Sequence, residues 1–220
     1  GVFILVPTIA PALGQLILYL SGWREIFMFY IAAAMVMMLW SHLRMEETLT
    51  AEHRRPLALR PIIEGFKEAA RNRATLGYTL CGGFAFGGLL GYLNSSQQIF
   101  HEIYGVGDMF AVYFGILALA IGAAFFTNSA LVRKYGMRKI SSISLHVLIS
   151  ASLIFFACEW AGYSALIIFM LFMSTAMFCL GLMFGNMSAL ALAPMGHMAG
   201  LAATFNGALS SLISLALGLI

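Results

Sequence analysis

The chain has 220 residues, of which 61% are hydrophobic and only 10% charged, with a net charge of +3 and a mean hydropathy of +0.92. So few charges cannot cover the surface of a soluble domain of this size, so the chain is expected to live in lipid. The basic excess is small and sits beside apolar stretches, which argues for membrane topology and against nucleic-acid binding.

Seven apolar stretches are predicted to span the membrane, at residues 2–20, 25–43, 75–98, 109–130, 140–158, 163–187 and 199–220. About 20 helical residues, rising about 1.5 Å each, cross a hydrocarbon core of about 30 Å. Backbone groups in lipid must be satisfied within the segment, which favours helices. No period-2 alternation supports a membrane β-barrel. The expected fold class is all-α, a polytopic membrane protein with seven transmembrane helices.

The first span carries Pro7 and Pro11, four residues apart. Each removes a backbone donor and kinks a helix. Ala10 and Gly14 add a pair of small residues at the same spacing. The second span, with Met35, Met37 and Met38, reads as lipid-facing. A long connection follows over residues 44–74. In it Leu59, Ile62, Ile63, Phe66, Ala69 and Ala70 recur at helical spacing, with Arg60, Glu64, Lys67, Glu68 and Arg71 between them. That pattern predicts an interfacial helix on the membrane surface.

The third span sets Gly83, Gly87 and Gly91 on one face and ends on five polar residues, Asn94 to Gln98. Gly181 and Gly185 repeat the four-residue spacing in the sixth span, and such stripes let helix backbones approach closely. The fifth span aligns Ser142, His146 and Ser150. His146 is a low-ranked candidate for relaying protons, or else a helix–helix hydrogen-bonding group. Cys81, Cys158 and Cys179 lie in or at the ends of spans and form no CxxC pair, so they are expected to be reduced and buried.

Eleven of the twelve Lys and Arg lie in the second and fourth connections; Arg24 is the twelfth. Glu102, Asp108 and Glu159 mark the third and fifth. The positive-inside rule makes the second, fourth and sixth connections cytoplasmic. The chain starts at Gly1 in an apolar stretch without a basic n-region, and runs apolar to Ile220. It is therefore expected to be a piece of a larger polytopic protein, without a signal peptide.

Several motifs together resemble the Bcr/CflA branch of drug:proton antiporters in the major facilitator superfamily. Pro7-Thr8-Ile9-Ala10-Pro11-Ala12-Leu13-Gly14-Gln15 is similar to the antiporter motif of the fifth helix, with Ala10 and Gln15 in place of two glycines. Gly22-Trp23-Arg24-Glu25-Ile26-Phe27 resembles the start of the sixth, and Glu47-Thr48-Leu49 with Arg54-Arg55-Pro56-Leu57 the central loop. Tyr104-Gly105 resembles the end of the seventh helix. Leu131 to Lys139 resembles the loop between helices eight and nine, with Arg133, Lys134, Gly136 and Arg138 as its motif residues. Arg133 stands where the superfamily usually has an acid.

The resemblance implies helices five to eleven of a twelve-helix fold. Residues 1–43 would close the N-terminal repeat, 44–74 would form the cytoplasmic central loop, and 75–220 would make five spans of the C-terminal repeat. It implies a secondary transporter that exports drugs or other small molecules in exchange for protons by alternating access, with Pro7, Pro11 and Gly14 in the moving helix. The expected partners are a small-molecule substrate, protons and the bilayer of the bacterial cytoplasmic membrane. The intact protein is expected to be monomeric, with no cofactor, no metal and no nucleic acid. Asn94, Ser95, Gln98, Asn128, Asn186 and Asn206 are the candidate cavity residues, with Phe84, Phe86 and Phe178 as apolar walls. For each amide the alternative is hydrogen bonding between helices. A transporter of one metabolite in the same superfamily is the alternative function. An intramembrane enzyme is disfavoured by the absence of a G-x-S-G or HExxH motif.

Overall fold

A computed structural model describes residues 13–14, 17–45 and 59–218. The chain forms two compact units, one within residues 2–59 and one from Arg60 onward. Among the described residues all regular structure is helical. Pro7 and Pro11 lie outside the described residues. Gly14 is helical, and a Cβ there would meet nothing within 4 Å.

The first unit contains α1, Trp23–Arg44, none of whose residues is buried. A helix apolar on every side belongs in lipid. Glu25 in its first turn and His42 and Arg44 in its last complement the helix dipole.

The helix α2, Leu59–Arg71, lies in the second unit from Arg60 on and is followed by α3, Arg73–Gln98. Asn72 separates them and caps α3, its Oδ1 accepting from the backbone N–H groups of Ala74 and Thr75 at 3.1 Å each. Next come α4, Phe110–Tyr135, α5, Met137–Trp160, α6, Leu166–Leu192, and α7, Ala199–Gly218. A 3-10 turn, Ala193–Met198, joins the last two around Pro194, with Met195 leaving helical geometry. Six of the seven expected spans are thus helices of crossing length. The seventh, at 2–20, lies mostly outside the described residues.

Three boundaries differ from expectation. The third span is expected to end on Asn94–Gln98, whereas helix α3 runs on through a π-helical turn, Ile99–Ile103. Phe100 in that turn is fully buried, stacked on Tyr113 at 5.6 Å and edge-on to Phe169 at 5.7 Å. This aromatic packing outweighs the poor helix character of the polar run. The expected loop at 131–139 shrinks to one residue, Gly136, between α4 and α5. Its φ of 79° and ψ of 152° lie in a region open essentially only to glycine. The motif residues Arg133, Lys134 and Arg138 are therefore helical. Finally, α6 extends past residue 187 to Leu192.

Helix α6 is the centre of the second unit, packed against α3, α4, α5 and α7. Thirteen of its residues are buried, including Met173, Met177, Met183 and Met187, where flexible thioethers fill irregular gaps. The α3–α7 contact is the closest. Thr75, Thr79, Gly83 and Gly87 form a buried stripe along α3. A Cβ on Gly83 would lie 3.1 Å from the Ser210 Cα, and one on Gly87 only 2.7 Å from Leu217 Cδ1. The two glycines of α6 are not equivalent. A Cβ on Gly181 would lie 2.7 Å from the Ala124 Cβ, whereas one on Gly185 would meet nothing within 4 Å.

Helix α2 docks on the far end of this bundle through Gly65, Phe66 and Ala69. Phe66 meets Phe205 edge-on at 5.6 Å, and Ala69 packs with Met195 and Ala202. Glu68 pairs with His197 at 2.9 Å. Leu59 and Ile63 of the same helix remain exposed, leaving an apolar strip flanked by Arg60 and Lys67, as an interfacial helix requires.

Candidate functional site

The side chains that hydrogen-bond between helices inside the bundle are amides and hydroxyls on α3, α4, α6 and α7. Asn206 on α7 is half-buried. Its Oδ1 accepts from Thr79 Oγ1 of α3 at 2.9 Å, and its Nδ2 donates to Ser188 Oγ of α6 at 3.4 Å. Ser210 Oγ donates to the Thr79 carbonyl at 3.3 Å, and Thr75 Oγ1 donates to the Ala191 carbonyl at 2.9 Å. Asn206 thus ties three helices together. A side-chain amide has two N–H donors and two acceptor lone pairs, so one of each on Asn206 is left over among the described residues.

Asn128 and Asn186 face each other across α4 and α6. Asn186 Nδ2 donates to Asn128 Oδ1 at 2.8 Å, and the return bond from Asn128 Nδ2 to Asn186 Oδ1 is 3.4 Å. Asn186 gives its second N–H to the Leu182 carbonyl at 2.8 Å and is 4% exposed. Its donors are used up, whereas half-buried Asn128 keeps one.

Asn94 donates to the Gly218 carbonyl at 2.7 Å, joining the carboxyl-terminal ends of α3 and α7. Gln98 is exposed and Ser95 half-buried. The six amide and hydroxyl candidates therefore do not form one cluster. Asn206 and Asn128 share the α6 seams, while Asn94, Ser95 and Gln98 lie at the carboxyl-terminal end of α3. Phe86 meets Phe184 edge-on at 5.8 Å between α3 and α6, Phe84 is exposed, and Phe178 packs against the cluster of Ala124, Ile140 and Leu182.

His146 is exposed, and its Nδ1 lies 2.6 Å from the Ser142 carbonyl of its own helix. Its hydrogen bond is within α5 rather than between helices. In the turn after α3, burial raises the Tyr104 phenol above its ordinary range; the Glu159 carboxylate adds to this, and a hydrogen bond with Ser164 opposes it. Tyr104 therefore stays neutral there. Among the described residues no group of His, Cys, Asp and Glu could hold a metal.

Thr75, Thr79 and Ser188 were not singled out from sequence. The signal was present: Thr75 and Thr79 extend the Gly83–Gly87–Gly91 spacing by two steps, so whatever packs on the glycines also meets the hydroxyls.

The profile of the Major Facilitator Superfamily matches residues 1–219. The chain is 27% identical over 213 residues to an uncharacterized MFS-type transporter, YdgK, of Bacillus subtilis (strain 168), a match covering 94% of this chain and 52% of that protein. It is 32% identical over 152 residues to a bicyclomycin resistance protein homolog of Haemophilus influenzae, covering 66% of this chain and 37% of that protein. The chain thus spans about half, or less, of the length of these curated relatives. No solved structure matches it significantly.

Proposed function

The chain belongs to the Major Facilitator Superfamily, and from that membership we propose that it acts within a secondary transporter of the Bcr/CflA type, exporting drugs or other small molecules across a bacterial cytoplasmic membrane in exchange for protons. The similarity to a bicyclomycin resistance protein homolog supports the drug-efflux part. The observation that carries the site is the half-buried Asn206, held by Thr79 and Ser188 with one donor and one acceptor to spare. A neutral amide at a helix seam can take chemically varied solutes, because it both donates and accepts. Substrate sites of secondary transporters lie near the bilayer midplane between repeats, and access alternates by rocking.

Asn128 is the second contact we assign, with Phe84 and Phe86 as apolar walls. Asn186 serves to orient Asn128. Among the described residues no carboxylate joins this amide network, so proton coupling is assigned to residues beyond it, and His146 keeps only a minor claim. The full-length protein in proteoliposomes, under an imposed pH gradient, should export lipophilic drugs. Asn206→Ala should change which solutes are exported at unchanged protein abundance. Gradient-independent export would reject the antiporter assignment, and an unaltered solute profile in Asn206→Ala would reject the site.

A further inference from the structure

Two hollows flank the first turn of α5, at the basic end of the helices. One, of about 550 Å³, lies between α3, α5 and α6 and is lined by Arg73, Gly77, Tyr78, Arg138, Ser141 and Ser142, among others. The other, of about 600 Å³, lies beside the α4–α5 turn and includes Arg138, Lys139 and Ser142. Arg138 and Ser142 line both. Among the described residues no carboxylate lines either hollow. The amino end of α5 has no side-chain cap and no acid in its first turn, so its free N–H groups and dipole favour an anion. Independently, the Ser141 hydroxyl, on a residue 1% exposed, lines the first hollow and has no hydrogen-bond partner among the described residues. A buried hydroxyl left without a partner is costly unless something supplies one.

We propose that this pocket, formed by Arg73, Arg138, Ser141 and the amino end of α5, binds a phosphate ester, with the guanidinium groups on its charge and the hydroxyl on one of its oxygens. Guanidinium forks match phosphate geometry. The site lies where the helices leave the hydrocarbon, so the source favoured is the headgroup of an anionic phospholipid, as basic pockets between spans accommodate. Gly77 offers a way to close the pocket without touching its charge. A Cβ there meets nothing within 4 Å, so a side chain can start there without a backbone clash, grow into the hollow that Gly77 lines and improve helix propensity.

The test titrates the purified full-length protein in nonionic detergent with dioleoyl phosphatidylglycerol, read by native mass spectrometry and by protection of Cys81, which lines the same hollow, from alkylation. The lipid should be retained and should protect Cys81. The pair Arg73→Gln and Arg138→Gln should weaken binding about tenfold or more. Gly77→Leu should weaken it comparably, and Arg73→Lys with Arg138→Lys should recover part of the loss. Arg60→Gln with Lys67→Gln on α2 removes the same charge elsewhere and should cost at most about threefold. Displacement of the lipid by millimolar inorganic phosphate would keep the pocket but make its ligand a soluble phosphate ester. No displacement would assign the lipid. Equal affinity for dioleoylglycerol, which lacks the phosphate, or undiminished binding in Gly77→Leu together with the double Gln variant, would overturn the proposal.

Discussion

Asn186 donates to Asn128 at 2.8 Å across the α4–α6 seam and spends its other N–H on its own helix at Leu182. The pair is therefore a directed contact with a definite geometry. Interhelical hydrogen bonds in membranes contribute about 0.6 kcal/mol on average and up to about 1.7. The single changes Asn128→Ala and Asn186→Ala should each lower the thermal midpoint of the detergent-solubilised protein. A double-mutant cycle should return a coupling of about 0.5–1.7 kcal/mol. Strict additivity would mean that the pair does not form.

The two glycines of α6 should respond oppositely to alanine. At Gly181 the new methyl would press on the Ala124 Cβ and on the Ile121 carbonyl at 3.0 Å. The α4–α6 backbones would have to separate, at a cost of about 1–3 kcal/mol. At Gly185 the methyl enters open space, and better helix propensity should leave stability unchanged or raise it by up to about 1 kcal/mol. Thermal unfolding of both variants decides the matter, and equal losses would refute the difference.

Gly136→Ala should also destabilise, by about 1–3 kcal/mol, because the φ of 79° and ψ of 152° are strained for any residue with a Cβ. The loss should appear as altered packing of α4 against α5, measured by hydrogen exchange at the amides of residues 136 and 140, which donate to the carbonyls of Val132 and Gly136. Unchanged exchange would count against a one-residue turn.

The docking of α2 should depend on Phe66 more than on Glu68. The Glu68–His197 pair is more than half exposed, and such pairs contribute about 0.2–1 kcal/mol. Truncating Phe66 removes an aromatic contact and its buried area, worth about 1.5–3 kcal/mol if fully buried. Phe66→Ala should therefore speed hydrogen exchange throughout α2, while Glu68→Gln should change it little. The reverse order would show that electrostatics holds this helix.

Orientation is tested by single engineered cysteines in a background lacking Cys81, Cys158 and Cys179. The distribution of basic residues predicts that a membrane-impermeant maleimide reaches position 161 from outside and position 134 only after the membrane is opened. Outside labelling at Lys134 would invert the topology.

Among the described residues, six of the seven expected spans were legible in the sequence, because the cost of placing a segment in lipid is close to a sum over its own residues. The amphipathic helix Leu59–Arg71 was legible for a similar reason, since Phe66, Ala69 and their charged neighbours carry the period themselves. Which faces meet was not legible. Helices α1, α3 and α6 are apolar over most of their length, and although the glycine stripes of α3 and α6 mark faces of close approach, they do not say which helix meets them. Only packing decided that Gly181 is closed and Gly185 open, that Asn206 reaches Thr79, and that Asn186 turns to Asn128. Likewise, a local pattern reads Asn94–Gln98 as the end of a span and residues 131–139 as a loop. The tertiary structure carried α3 through Phe100 into an aromatic cluster and turned α4 into α5 on Gly136 alone, because burying an aromatic ring and closing a tight helix pair outweigh the local preferences of a few polar residues.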